Sequence, residues 1–242
     1  MNDKDSPGVR DRLIVALDQP DLSRTLAHVD RIGDAVLWYK IGLQLFCAEG
    51  SDAVKAVAGR GKKIFLDLKL HDIPATVGKA IAALEGLPVS MLTVHAAGGP
   101  AMLRAAVEAA GTIAARPRVL GVTMLTSLDG TECPSLWNPK TDLEEKVLAL
   151  ATQCEEAGLA GVVASPLELG PLRLEHEPPF LIVTPGIRGP GDQAQDQKRT
   201  LSLSEAFARG ADFVVVGRPI LEASDPNAAV AALAASLIAT PS

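Results

Sequence analysis

Lys40, Asp67, Lys69 and Asp72 are the residues whose types and spacing most plainly offer chemistry in this sequence. Asp67 and Lys69 are two positions apart, so in a strand they share a face, and Asp72 follows shortly after. An ionised group among apolar residues costs several kcal/mol unless it is paired, so such charges must be held as a network of alternating sign. Each carboxylate then stabilises a neighbouring ammonium, which is the environment of a proton donor. A buried ion-pair cluster that merely fixes strand register is the competing reading. Charges arriving from separate strands at one level favour a site instead.

Positioning those four residues requires elements, and the chain supplies them in alternation. Short β-branched runs are expected as strands at 12–18, 36–41, 63–70, 90–95, 119–125, 160–164, 180–184 and 212–217. Helical stretches are expected at 23–32, 45–58, 76–85, 100–112, 142–157, 166–174, 203–209 and 227–238, most with Ser, Thr, Asp, Asn or Pro near the start. Strands that alternate with helices pair in parallel through right-handed crossovers. Eight such units in 242 residues predict an α/β fold, a single-domain (β/α)8 TIM barrel spanning residues 1–242. The rival, an open doubly wound sheet, wants a glycine-rich turn where this chain has Leu17-Asp18-Gln19-Pro20. Residues 1–8 read as a frayed leader.

Alternation along the strands then assigns faces. Ile14, Ala16 and Asp18 fall together, as do Trp38 and Lys40. In the third strand Ile64, Leu66, Leu68 and Leu70 form an aliphatic face for helices, which sends Phe65, Asp67 and Lys69 into the barrel. Active sites of such barrels lie at the C-terminal ends of the strands, where these charges fall. Pro74 stops the third strand, Thr76 is expected to cap the next helix, and Asp72 is left on a loop.

The seventh and eighth strands run into Thr184-Pro185-Gly186-Ile187-Arg188 and Gly217-Arg218-Pro219-Ile220. Loops there recurrently hold phosphate in this fold; Gly217 would admit a close backbone approach and Arg218 a charge-assisted fork. The blander reading is two solvated arginines, Arg188 and Arg218, on the barrel rim. Thr123, Thr126 and Ser127 offer hydroxyls suited to a heterocycle at the end of the fifth strand. His95 ends the fourth strand, placed either to contact a ligand or to bond a neighbouring strand end, whereas His28 and His176 read as solvated.

Other classes are disfavoured. A net charge of −6 argues against a nucleic-acid partner. No run approaches the roughly 18 apolar residues of a membrane span, and no secretory pattern opens the chain, so a cytoplasmic protein is expected. Cys47, Cys133 and Cys154 lack metal or disulfide spacing and read as reduced thiols. No histidine–carboxylate set suggests a metal, and Ser127 has no nearby base to make it a nucleophile.

Phe65-Leu66-Asp67-Leu68-Lys69-Leu70-His71-Asp72-Ile73-Pro74 closely resembles the signature of the orotidine 5′-phosphate decarboxylase family. The likeness continues in Val15-Ala16-Leu17-Asp18, Lys40-Ile41-Gly42, Val94-His95-Ala96, Leu125-Thr126-Ser127, Val183-Thr184-Pro185-Gly186-Ile187-Arg188, Asp196-Gln197-Lys198-Arg199 and Val216-Gly217-Arg218-Pro219. The resemblance implies cofactor-free, metal-free decarboxylation of orotidine 5′-phosphate to UMP, with Lys69 as proton donor and Asp67, Lys40 and Asp72 completing its network. It further implies a homodimer in which Asp72 and Thr76 reach the partner's site. By the same resemblance Asp18 binds ribose, Ser127 reads the pyrimidine, Gln197 bridges base and phosphate, and Arg188, Gly217 and Arg218 hold the phosphate. Ala75 and Gln44 depart from residues common in that family, Asn and Glu respectively, away from the expected chemistry. Sugar-phosphate decarboxylases and hexulose-phosphate synthases share the fold and an Asp-x-Lys-x-x-Asp core but use Mg²⁺. The Asp72-Ile73-Pro74 context and Leu125-Thr126-Ser127 favour the nucleotide enzyme. A catalytically silent phosphate-binding barrel would not need the complete charged set.

Overall fold

Valine- and isoleucine-rich runs too short for helices pair side by side and close on themselves. A computed structural model of the protein describes residues 8–128, 142–188 and 201–238. Its strands are β1 (Leu13–Ala16), β2 (Trp38–Gly42), β3 (Lys63–Leu70), β4 (Val89–His95), β5 (Arg118–Val122), β6 (Gly161–Val163), β7 (Leu181–Thr184), β8 (Ile187–Arg188), β9 (Leu201–Ser202) and β10 (Phe213–Val216). Eight of them form a closed barrel, β1-β10-β7-β6-β5-β4-β3-β2, while β8 and β9 pair separately. Every barrel pairing is parallel, and β1 closes the ring on β10 through Leu13↔Val214, Ile14↔Val215 and Val15↔Val216. The fold is therefore the expected (β/α)8 barrel.

A short α1 (Val9–Arg12) precedes β1, and the strands are followed by α2 (Leu22–Ile32), α3 (Leu43–Ala58), α4 (Pro74–Ala82), α5 (Gly99–Thr112), α6 (Leu143–Glu156), α7 (Leu169–Glu175), α8 (Leu203–Ala208), α9 (Arg218–Leu221) and α10 (Pro226–Ile238). Each longer helix buries one stripe; Thr25, Val29 and Ile32 on α2 and Val147, Leu150, Ala151 and Cys154 on α6 keep the three-and-four spacing of an inward face. Burial pushes the Cys154 thiol up to about 12 and leaves it a packing group. Asp21 starts α2 by accepting the Arg24 N–H, and Ser202 with Glu205 forms a capping box on α8.

The barrel separates two apolar layers. Leu13, Val15, Tyr39, Ile64 and Leu66 face the helices, whereas Ile14, Ala16, Trp38, Phe65, Met91, Leu120, Val183, Phe213 and Val215 fill the interior. At the N-terminal end Trp38 and Phe213 meet edge to face with centroids 5.3 Å apart, and the Arg118 guanidinium lies 5.5 Å from each ring. Those rings and the guanidinium cover that end of the interior among the described residues.

Several boundaries differ from expectation. Arg12 belongs to the short α1, and β5 stops at Val122, so Thr123 to Leu125 lie beyond it. The strand-like run at residues 12–18 is shorter: β1 ends at Ala16, Leu17 still donates its N–H to the Lys40 carbonyl at 2.9 Å, and Asp18 lies past that last bond. Thr76 does not cap α4: Ile73 is its N-cap and Pro74 its first residue, where the missing N–H of proline leaves no donor unsatisfied. His176 is buried, not solvated, and its Nδ1 meets Glu155 Oε2 at 2.7 Å; His28 is half-buried. Of the leader only Gly8 is among the described residues, and Cys133 lies outside them.

Gly161 shows how tightly the strands approach. A Cβ there would sit 2.1 Å from the Leu181 carbonyl oxygen, a backbone atom that cannot yield without opening the β6–β7 pairing. Gly161→Ala is expected to cost about 2–3 kcal/mol, lowering Tm by roughly 5–10 °C. Gly111→Ala on the exposed face of α5, where nothing lies within 4 Å, should leave Tm unchanged or raise it. Equal melting of the two variants would contradict this packing.

Candidate active site

The charges predicted inside the barrel mouth are there, and they are chained. Lys69 Nζ lies 2.7 Å from Asp67 Oδ2, Lys40 Nζ lies 3.9 Å from the same oxygen, and Lys40 Nζ donates to Asp18 Oδ1 at 2.9 Å. Side-chain exposure runs 55% for Asp18, 13% for Lys40, 11% for Asp67 and 30% for Lys69, so the chain of charges descends from solvent and rises again. Beneath it lie the apolar Ala16 and Phe65 of the barrel interior. An ammonium held there acts in a medium poorer than water, where its field on a bound ligand is stronger.

Asp72 does not join this network within the chain. Its carboxylate accepts the N–H of Ile73 at 2.6 Å and makes no ion pair among the described residues, because Pro74 turns the loop away into α4. Asp18 supplies the second carboxylate in its place. Residues 71–76 are all exposed, Ile73 to 66%, which sets Asp72 and Thr76 on the outer rim of the mouth.

The third strand brings Asp67 and Lys69 together by an irregular path. Leu66 pairs with Leu92 and Leu70 with Val94, so residues 67–69 bulge opposite Thr93 alone. Lys69 adopts φ 50°, a left-handed conformation that costs a residue with a Cβ about 1–2 kcal/mol. Buried Thr93, not singled out from sequence, accepts the Lys69 N–H at 2.9 Å and donates its hydroxyl to Asp67 Oδ1 at 2.9 Å. A lone threonine inside a strand carries no signal that would have found it.

The remaining candidates divide. His95 Nδ1 accepts the Ala97 N–H of its own turn, and its ring stacks on His71 with centroids 5.1 Å apart. Burial, then the nearby His71 and Lys69, lowers its pKa and favours the neutral ring. Thr123 spends its hydroxyl on the Val163 carbonyl, so it is a structural group, while Ser127 is exposed on the loop beyond β5. Gly217 follows β10 beside Ala16, and exposed Arg218 opens the short α9. The backbone of Arg188 lies in β8, whereas its side chain and the whole of Gln197 fall outside the described residues. Cys47 and Cys154 are free thiols. Among the described residues no three His, Cys, Asp or Glu side chains group as metal donors, and no helix is long and apolar enough to cross a membrane.

A family model described as orotidine 5′-phosphate decarboxylase / HUMPS matches residues 11–233, nearly the whole chain. The chain belongs to that family. Among relatives named orotidine 5′-phosphate decarboxylase, that of Moorella thermoacetica is 46% identical over 233 residues, covering 94% of this chain and 92% of its own. The protein of that name from Rhodopseudomonas palustris is 46% identical over 230 residues, covering 95% of each chain. A crystal structure of the orotidine 5′-phosphate decarboxylase from Lactobacillus acidophilus superposes with a TM-score of 0.83 at 38% identity, covering 95% of this chain and all of the other. The orotidine 5′-phosphate decarboxylase / HUMPS match includes all four members of the ion chain, from Asp18 to Lys69.

Gly42, at the end of β2, leaves room for that chain: a Cβ there would sit 2.8 Å from Lys40 Nζ and 3.2 Å from Asp18 Oδ1. Both atoms end movable side chains, so Gly42→Ala should change Tm by no more than about 2–4 °C. It should nevertheless push the Lys40 ammonium off Asp18, as a crystal structure of the variant would show. An undisturbed Lys40–Asp18 bond would contradict the crowding.

Proposed function

We propose that this chain decarboxylates orotidine 5′-phosphate to UMP and CO2 in pyrimidine biosynthesis, without metal or cofactor. The observation that carries the proposal is the Lys69 ammonium, 2.7 Å from Asp67 at the open end of an otherwise apolar barrel. The relatives' shared name supports this substrate over others within the same family.

Loss of CO2 breaks the bond between C6 and the carboxyl carbon and leaves the electron pair on C6. The pyrimidine cannot delocalise that pair well, and with no cofactor as electron sink the site must stabilise it electrostatically. Lys69 Nζ does so directly and then gives its proton to C6; the neutral amine left behind takes a proton from solvent. Asp67 holds that ammonium in place and lies beside the departing carboxylate, whose repulsion is relieved as CO2 leaves. We rank this second contribution below the first. Each tenfold in rate requires about 1.4 kcal/mol, so a preorganised ammonium in a water-poor site supports several powers of ten.

Asp18, bonded to Lys40, is assigned to the ribose hydroxyls, Ser127 to the base, Gln197 to a bridge between base and phosphate, and Arg188, Gly217 and Arg218 to the phosphate. The protein is further proposed to be a cytoplasmic, single-domain homodimer. The exposed segment 71–76 supports this reading, since it offers Asp72 and Thr76 outward, free of Lys69 of the same chain.

Loss of ultraviolet absorbance from orotidine 5′-phosphate tests the reaction, and dialysis against EDTA should not slow it. Lys69→Ala and Asp72→Ala homodimers should each lose nearly all turnover while Lys69→Ala still binds UMP. Mixed heterodimers should recover part of it, because one of their two sites then holds a native Lys69 and a native Asp72. Near-normal turnover by Lys69→Ala would remove Lys69 from the chemistry, and inactive heterodimers would remove the shared site.

A further inference from the structure

We infer that Thr93 is the positioning residue of this site: one buried hydroxyl ties the Lys69 backbone to the Asp67 carboxylate. The inference rests on the decarboxylase reading of the same site. Thr93 is fully buried in β4, opposite the three bulged residues 67–69. The bulge takes the Lys69 N–H out of the regular ladder, and Thr93 Oγ1 accepts it at 2.9 Å. The hydroxyl has a single proton, and that proton goes to Asp67 Oδ1 at 2.9 Å.

Two consequences follow from this division of the hydroxyl. With Oδ1 occupied, Asp67 is turned so that Oδ2 meets Lys69 Nζ at 2.7 Å and Lys40 Nζ at 3.9 Å. With its N–H held, Lys69 is kept at φ 50°, a conformation that persists only where the surroundings impose it. Both ends of the Asp67–Lys69 pair therefore hang on one oxygen atom. β-Branching restricts the Thr93 rotamer and so keeps that oxygen aimed. Val has the same shape without the oxygen; Ser keeps the oxygen and loses a methyl group.

Thr93→Val is expected to lower kcat about 10–100-fold, the scale of a misplaced catalytic group, with KM for orotidine 5′-phosphate and Kd for UMP changed by less than about threefold. Thr93→Ser should keep kcat within about threefold of the native chain. A kcat for Thr93→Val within twofold of native, or an equal loss in Thr93→Ser, would overturn the inference. Thr93→Ala, which adds space in place of a methyl group, provides a second variant lacking the hydroxyl and should show the same split between kcat and KM. If neither variant folds, Thr93 is a structural residue and the inference fails. A native chain that leaves orotidine 5′-phosphate untouched would instead refute the decarboxylase reading, so the two failures are distinguishable.

Discussion

The Asp67 carboxylate sits where two ammonium groups and one buried hydroxyl converge, and an anion so placed needs all of them. Removed from solvent, it would be costly alone; shared between Lys69 and Lys40, and bonded by Thr93, it becomes the hub that fixes both lysines. The barrel exists around this hub in a physical sense. Four strands contribute: β1 leads to Asp18, β2 carries Lys40, β3 carries Asp67 and Lys69, and β4 carries Thr93. Parallel pairing of these neighbouring strands brings their C-terminal ends to one rim, and closure of the ring sets the apolar Ala16 and Phe65 in the interior below.

Stability and chemistry make different demands at the two ends of that ring. At the N-terminal end cations are covered by aromatic faces or tied into satisfied networks. Arg173 there donates to the carbonyls of Gly210, His176 and Phe180 and to Asp212, whose Oδ2 also takes the Ile182 N–H. At the C-terminal end Lys69 is held in a left-handed conformation, Ile73 is exposed, and the ion chain reaches solvent through Asp18. The stable end supports the cost of the reactive one.

Much of this was legible in the sequence because strand alternation has a period of two. That rule alone sent Trp38, Phe65 and Asp67 inward and Leu66 outward, and the apolar layers agree. It paired Asp67 with Lys69 for a partly incomplete reason, since the chain bulges between Leu66 and Leu70 and Lys69 returns to Asp67 through a positive φ. A bulge leaves no mark in a period-two pattern, so Thr93 was invisible. Asp18 was read as an interior strand residue, yet it lies past the end of β1 and enters the network through Lys40. Sequence proximity counted Asp72 into the charged set and left it on a loop; within the chain its carboxylate accepts the Ile73 N–H just ahead of α4 and stays outside the ion chain. Solvation of His176 was inferred from its Glu- and Pro-rich neighbours, but Glu155 from a distant helix meets it at 2.7 Å. Local composition cannot report such a partner.

In the proposed reaction Asp67 holds the Lys69 ammonium against the carbon that changes bonding. Exchange of the C6 hydrogen of UMP in D2O tests it without any CO2 chemistry, because the same proton transfer must then run in both directions at a bound product. Followed by proton NMR, the native protein should erase the H6 signal of UMP, and Lys69→Ala should leave it intact although UMP still binds. Exchange at the native rate by Lys69→Ala would contradict the account.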